Sequence, residues 1–161
     1  MGVLAIIPAR AGSKTIRHKN IQLVGGKPLI VHSIEHGLKS GLIDRVIVST
    51  DSEEYAELAR AAGAEVPFMR PEELAGDLST DLETFKHALE WLKEHEDYHP
   101  EICVNLRPTF PLRKIEDVDA VVALLKDQEN LDSVRSVVPA LHTPYKMWFT
   151  DADGTLKPII E

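Results

Sequence analysis

The sequence predicts an α/β fold in three layers, with helices on both faces of a mostly parallel sheet. Short, almost purely apolar runs mark strands buried on both faces. Between them lie segments whose apolar residues recur every three or four positions, the period of an amphipathic helix. The two kinds of segment alternate along the chain, which favours parallel strands joined by crossover helices. At 161 residues and 43% hydrophobic content, the chain suits one domain with a real core. It carries no internal repeat and no low-complexity linker.

Val3 to Ile7 reads as the first buried strand, ended by Pro8. Ala9 to Asn20 is rich in small and basic residues and reads as a loop. Gly25-Gly26 makes a turn, and Pro28 suits the first turn of a helix. Ile30, Ile34 and Leu38 form that helix's apolar stripe, which ends near Gly41. Arg45 to Ser49 is the second strand. Asp51 with Glu54 is placed to cap the next helix, although a position near a strand end suits a ligand or metal contact equally well; the helix's inner stripe is Tyr55, Leu58, Ala59 and Ala62, with Gly63 as its stop. Ala64 to Phe68 reads as a short strand and Arg70 to Asp77 as a loop. Thr80 with Glu83 has capping-box spacing, ahead of a helix with Leu82, Phe85, Leu89 and Leu92 as its core face. Ile102 to Leu106 is another buried strand. Val118, Val121, Val122 and Leu125 mark a fourth helix, and Ser133 to Val138 a further strand. After Pro139 the pattern changes. Met147 to Thr150 and Leu156 to Ile160 look extended, with Asp153-Gly154 as a hairpin turn.

The net charge of −8 argues against nucleic acid as a partner. No apolar run has membrane-spanning length, and Val3 to Ile7 is too short for a signal peptide's core. The single cysteine, Cys103, excludes an internal disulfide and reads as a reduced core residue, so the expected compartment is cytoplasmic. The charge is unevenly spread. No Asp or Glu precedes Glu35, whereas Arg10, Lys14, Arg17, Lys19 and Lys27 do. An acidic protein with one acid-free basic segment, starting where a buried strand ends, points to an anionic ligand.

That segment, Ile7-Pro8-Ala9-Arg10-Ala11-Gly12-Ser13-Lys14, followed by Arg17-His18-Lys19-Asn20, carries the sharpest chemical signal. Ligands of open α/β sheets sit beyond the carboxyl ends of strands. Ala11 and Gly12 are small enough to let backbone N–H groups approach a phosphate, and Ser13 can donate its hydroxyl. Arg10, Lys14 and Lys19 can neutralise a triphosphate. Two commoner phosphate motifs are missing. There is no G-x-G-x-x-G, and Gly26-Lys27 lacks both the upstream glycine and the following Ser or Thr of a Walker A loop.

The run IPARAGSKTIRHKNI, Ile7 to Ile21, closely resembles the N-terminal signature of the acylneuraminate cytidylyltransferases (CMP-sialic acid synthetases). STDS at Ser49 to Ser52, RPEELAGD at Arg70 to Asp77, RPTFPLR at Arg107 to Arg113 and HTPYK at His142 to Lys146 agree in order. Lys19-Asn20, where the related Kdo enzymes have Lys-Pro, favours the sialic-acid branch. The resemblance implies a fold of the nucleotide-diphospho-sugar transferase type. Residues 1–139 would be a nucleotide-binding domain, and residues 140–161 the start of a protruding extended dimerisation segment. It implies transfer of CMP from CTP to a sialic-acid-like 2-keto sugar acid, with release of pyrophosphate and no covalent enzyme intermediate. By the same resemblance Arg10, Ser13, Lys14 and Lys19 hold the CTP phosphates, Arg10 and Lys19 being the catalytic pair, and Asn20 contacts the ribose. Arg70 with Ser79 and Thr80 reads cytosine, and Lys146 reaches the sugar site of the other subunit of a homodimer.

Two departures bear on the substrate. The family has Gln-Pro-Thr-Ser-Pro-Leu-Arg, with the Gln touching the sugar, where this chain has Arg107 and Phe110 in place of Gln and Ser. Arg107 can bind the sugar's carboxylate or another polar substituent, so a variant nonulosonic acid is an open alternative. Family members also run well beyond 161 residues. The resemblance therefore implies a C-terminally truncated chain, with the Asp-x-Asp pair for Mg²⁺ in later sequence and no metal ligand assigned here. A nucleotidyltransferase for another sugar, and a nucleotide-binding or dimerising module without turnover, stay open.

Other motifs point to structure. Asp151-Ala152-Asp153-Gly154-Thr155 spells a phosphatase motif but lacks the buried strand that should precede it, so a solvated turn is expected. His32 and His36 have the spacing of a zinc pair without a third ligand and are expected on an exposed helix face. Trp91 and Trp148 are expected in packing.

Overall fold

The computed structural model describes residues 2–128, 130–139 and 148–158. Three parallel strands, β1 (Val3–Pro8), β4 (Arg45–Ser49) and β5 (Ile102–Asn105), form the central sheet in the order β4-β1-β5. Leu4 pairs with Arg45 on one side of β1 and with Cys103 on the other. A short antiparallel pair, β2 (Leu23–Val24) and β3 (Lys27–Pro28), leads into α1 (Leu29–Lys39). The remaining helices are α2 (Glu53–Ala61), α3 (Asp81–Glu96) and α4 (Ile115–Asp127).

Alternation along β1 builds the layers. Ala5 and Ile7 join Val46 and Val48 on one face, under Ile30 and Ile34 of α1, Tyr55 and Ala59 of α2 and Val118 of α4. Leu4 and Ile6 join Ile47 on the other, under Ala88 and Leu92 of α3 with Phe68. β1 is buried along almost its whole length because helices cover both faces.

Several local expectations shift. Leu38 is half exposed, and Ser33 and Gly37 turn inward instead. Gly37 is there for its size: a Cβ at that position would stand 2.8 Å from Val46 Cγ2. Ser52, not Asp51, caps α2, its Oγ accepting from the Tyr55 N–H, because the helix starts one residue later. The expected strand Ala64 to Phe68 reduces to a single parallel bridge between Glu65 and Ile47, since Pro67 has no N–H to continue it. On α3 the buried stripe is Thr84, Ala88 and Leu92, flanked by Phe85 and Leu89. Leu82 lies on the opposite side of the first turn and is exposed. Ser133 to Val138 forms no strand, and Val137 and Val138 are exposed. β-Branched residues make a strand only where a neighbouring edge takes their backbone hydrogen bonds. Cys103 is exposed, on β5 at one edge of the sheet among the described residues, and is not the core residue expected.

His32 and His36 are half-buried and face different partners. His32 Nε2 lies 2.9 Å from Val24 O, and His36 Nδ1 lies 3.4 Å from Arg113 Nη1. Trp91 packs against Phe68 and stacks on His95. Farther along the chain, β6 (Trp148–Thr150) and β7 (Leu156–Pro158) form an antiparallel ribbon. Gly154 takes a φ of +84° in its turn, and Thr155 N–H donates to Asp153 Oδ1. Met147, Ile159, Ile160 and the segment His142 to Lys146 lie outside the described residues. No helix among the described residues is long and apolar enough to cross a membrane.

Candidate active site

β1 is flanked on both sides by parallel neighbours, so its carboxyl end opens between two diverging connections, where α/β sheets place their ligands. A cavity of about 360 Å³ lies there. Five segments build it: the loop after β1, the turn around Lys19, the chain at Arg70, the stretch from Asp77 into α3, and the loop after β5.

The first loop is fixed from below. Ala9 N–H donates to Ser49 O, and Ala11 N–H donates to Asp51 Oδ1 at 2.8 Å. Asp51 thus braces the loop rather than capping a helix. Ala11 N–H is committed to that bond and Ser13 N–H to Ala11 O, while the space beside Gly12 is open. Asn20 is buried, and its amide donates to Arg10 O at 3.0 Å, tying the two ends of the loop together. His18 adopts a left-handed φ of +51°, which turns the chain into the short 3-10 segment Lys19–Ile21 and brings Lys19 to the cavity wall. Its ring is anchored 3.4 Å from the Tyr55 hydroxyl.

Arg10, Ser13, Lys14, Lys19 and Asn20 all line the cavity. So do Arg70, Ser79, Thr80 and Arg107. Lys146 falls outside the described residues. Five of the lining residues are cationic and two, Asp77 and Asp81, are acidic, a net positive wall in a protein of charge −8. Arg10 Nη1 donates to Gly76 O at 2.6 Å and reaches Asp77 Oδ1 at 3.1 Å, while Lys14 pairs with the other oxygen of Asp77. Lys14 and then Arg10 hold the Asp77 carboxyl below its usual range.

Arg70 is almost fully buried at the cavity floor. Its Nε donates to Ser49 Oγ at 3.0 Å and its Nη2 to Ser49 O, and its backbone N–H donates to Thr50 O. Burial pushes its guanidinium down to about 10, against the pull of Asp51 and Asp81, so it remains charged at neutral pH. Thr80 caps α3: its Oγ1 accepts from Glu83 N–H, and Glu83 returns the bond to Thr80 N–H. Arg107 stands at the mouth, its Nε donating to Asp81 Oδ2 at 2.6 Å. The contact of Asp81 with Arg107 had no sequence signal, because the two lie 26 residues apart. Among the described residues no three His, Cys, Asp or Glu side chains come together; Asp51 Oδ1 accepts from Ala11 N–H, and Asp77 pairs with Arg10 and Lys14.

A cation-rich cavity at the carboxyl end of the central strand of a three-layer α/β domain is a site for an anionic ligand. The chain belongs to the cytidylyltransferase family, whose sequence model matches residues 4–146. It is 40% identical over 135 residues to the N-acylneuraminate cytidylyltransferase of Escherichia coli O18:K1:H7, covering 84% of this chain and 31% of that protein. It is 38% identical over 156 residues to the CMP-N,N'-diacetyllegionaminic acid synthase of Legionella pneumophila, covering 97% of this chain and 66% of that protein. The chain therefore spans less than two thirds of the length of either relative. Among solved structures, CMP:2-keto-3-deoxy-manno-octonic acid synthetase in complex with CTP shares the fold, with a TM-score of 0.67 at 24% identity over 81% of this chain and 50% of that one.

Proposed function

We propose that the cavity binds CTP, and that the chain is the nucleotide-binding core of an enzyme transferring CMP to a sialic-acid-like 2-keto sugar acid. The convergence of Arg10, Lys14, Lys19, Arg70 and Arg107 on one cavity carries this reading. Arg10, Ser13, Lys14 and Lys19 take the triphosphate by charge-assisted bonds, and Asn20 takes the ribose. Arg70, with Ser79 and Thr80, takes the cytosine, and Arg107 takes the sugar acid. The sugar's anomeric hydroxyl attacks the α-phosphorus, the bond between the α- and β-phosphates breaks, and pyrophosphate leaves. Arg10 and Lys19 offset the charge that develops on the departing phosphates.

Magnesium enters only as the expected counter-ion of the triphosphate, and no step is assigned to it. The ribbon of β6 and β7 belongs to a homodimerisation segment beginning at residue 140, beyond a nucleotide-binding domain of residues 1–139, and Lys146 would serve the partner's sugar site. The compartment is cytoplasmic. Light scattering at micromolar concentration should show a dimer.

Calorimetry with CTP, ATP, GTP and UTP, each with Mg²⁺, tests the reading. CTP should bind tightest, and equal or tighter ATP binding would sink it. A second reading, nucleotide binding without turnover, expects CTP affinity with no release of pyrophosphate. A coupled pyrophosphate assay with CTP and N-acetylneuraminate separates the two.

A further inference from the structure

Arg107 is held at both its ends. Its carbonyl accepts from Ser33 Oγ at 3.1 Å and from Arg113 Nη2 at 3.2 Å, so the loop after β5 folds back and clasps its own first residue onto α1. Its side chain is held by Asp81. Both Nε and Nη2 lie 2.6 Å from the single oxygen Oδ2. Asn105 Nδ2 donates to the same oxygen at 2.7 Å. Asp81 is the first residue of α3, so this one oxygen joins the start of that helix to the end of β5 across the cavity.

The geometry of the pair decides what Arg107 can still do. A guanidinium has five N–H donors in a planar fork. Asp81 takes the side edge, formed by Nε and one Nη2 hydrogen. The end edge, formed by Nη1 and the second Nη2 hydrogen, has no partner among the described residues and keeps two parallel donors. That edge matches the two oxygens of a carboxylate. Left alone, a side chain that is 62% exposed would sample many rotamers, and fixing it would draw on ligand binding energy.

We propose that Asp81 is a positioning residue for Arg107, fixing its guanidinium so that the free edge receives the carboxylate of the sugar acid. This rests on the assignment of the cavity to a sugar acid and CTP. It makes Asp81 a determinant of selectivity for the charged acid. A helix-terminal Asp acting only on stability would weaken acid and ester, or acid and nucleotide, alike.

The test is calorimetry on the chain saturated with CDP, using N-acetylneuraminate and its C1 methyl ester, which has the same shape without the charge. The unmodified chain should prefer acid to ester by about tenfold. Asp81→Asn and Arg107→Gln should each remove most of that preference, and the double variant should lose no more than Arg107→Gln alone. Asp81→Asn should leave ester affinity unchanged within about twofold. Retained preference in Asp81→Asn, additive effects in the double variant, or binding of CDP without the acid would each overturn the inference. Failure to prefer cytidine nucleotides at all would instead overturn the reading of the cavity.

Discussion

Asp77 Oδ1 lies 3.1 Å from Nη1 of Arg10, and its second oxygen meets the ammonium of Lys14. One carboxylate thus holds two cations that the proposed site needs for a triphosphate. Nucleotide must displace it or share those cations with it. Exposed ion pairs are weak, so nucleotide can displace this one at a small but measurable cost. Asp77→Asn should tighten CTP binding about two- to fivefold by calorimetry. Weaker binding would show that the carboxylate itself serves the nucleotide.

The same pair sets a pH dependence. Hydrogen bonds from Lys14 and Arg10 hold the Asp77 carboxyl below its ordinary value. A depressed carboxyl contributes its pairing above its unfolded pKa and loses it as pH falls through the lower, folded one. The pairing should therefore be intact at neutral pH and fail only in acid, below the usual aspartate range. Carbon-13 NMR titration of the Asp77 carboxyl should give a midpoint below that of an unfolded aspartate. Lys14→Ala should move it upward, and an unmoved midpoint would contradict the contact.

Arg10 and Lys19 stand on opposite ends of a loop tied by the Asn20 amide, and both line the cavity. Arg10→Glu or Lys19→Glu should each remove a charge-assisted contact worth about 1.5–3 kcal/mol of CTP binding. Circular dichroism should not change, because neither side chain belongs to the core. Unaltered CTP affinity in both folded variants would place the nucleotide elsewhere.

What the sequence showed and what it hid divide by the range of the interaction. The strands β1 and β4 and the capping box of Thr80 and Glu83 were readable, because apolar periodicity and caps are local. The basic loop was readable because five cations without an intervening acid stand out in an acidic chain. The single bridge at Glu65 and the unpaired stretch from Ser133 to Val138 were not, since a strand exists only with a partner. Asp81, and the ion-pair partners of Asp77, were hidden for a similar reason. Asp77 meets Arg10 across 67 residues, and Asp81 meets Arg107 across 26, separations at which spacing carries no information. Asp51 was read as a cap because it precedes a helix, but its oxygen turns back to Ala11.

Gly37 offers a test of the packing that supports the site. It lies in the interior of α1, where helix propensity alone favours Ala over Gly by about 1 kcal/mol. Space argues the other way. An added Cβ would stand 2.8 Å from Val46 Cγ2 and 3.3 Å from Leu106 Cδ1, and both neighbours are buried core residues with little room to yield. Overpacking of this kind costs about 1–3 kcal/mol, enough to cancel or reverse the helical gain. Gly37→Ala should therefore lower the urea midpoint, and shortening the neighbour in Gly37→Ala/Val46→Ala should recover more than the sum of the single changes allows. Leu106 precedes Arg107, so pressure on it should also reach the mouth of the cavity. The Gly37→Ala variant should bind sugar acid more weakly while binding CTP nearly as before. A raised midpoint would mean that α1 can slide away from β4, and that this close approach is not what sets the helix against the sheet.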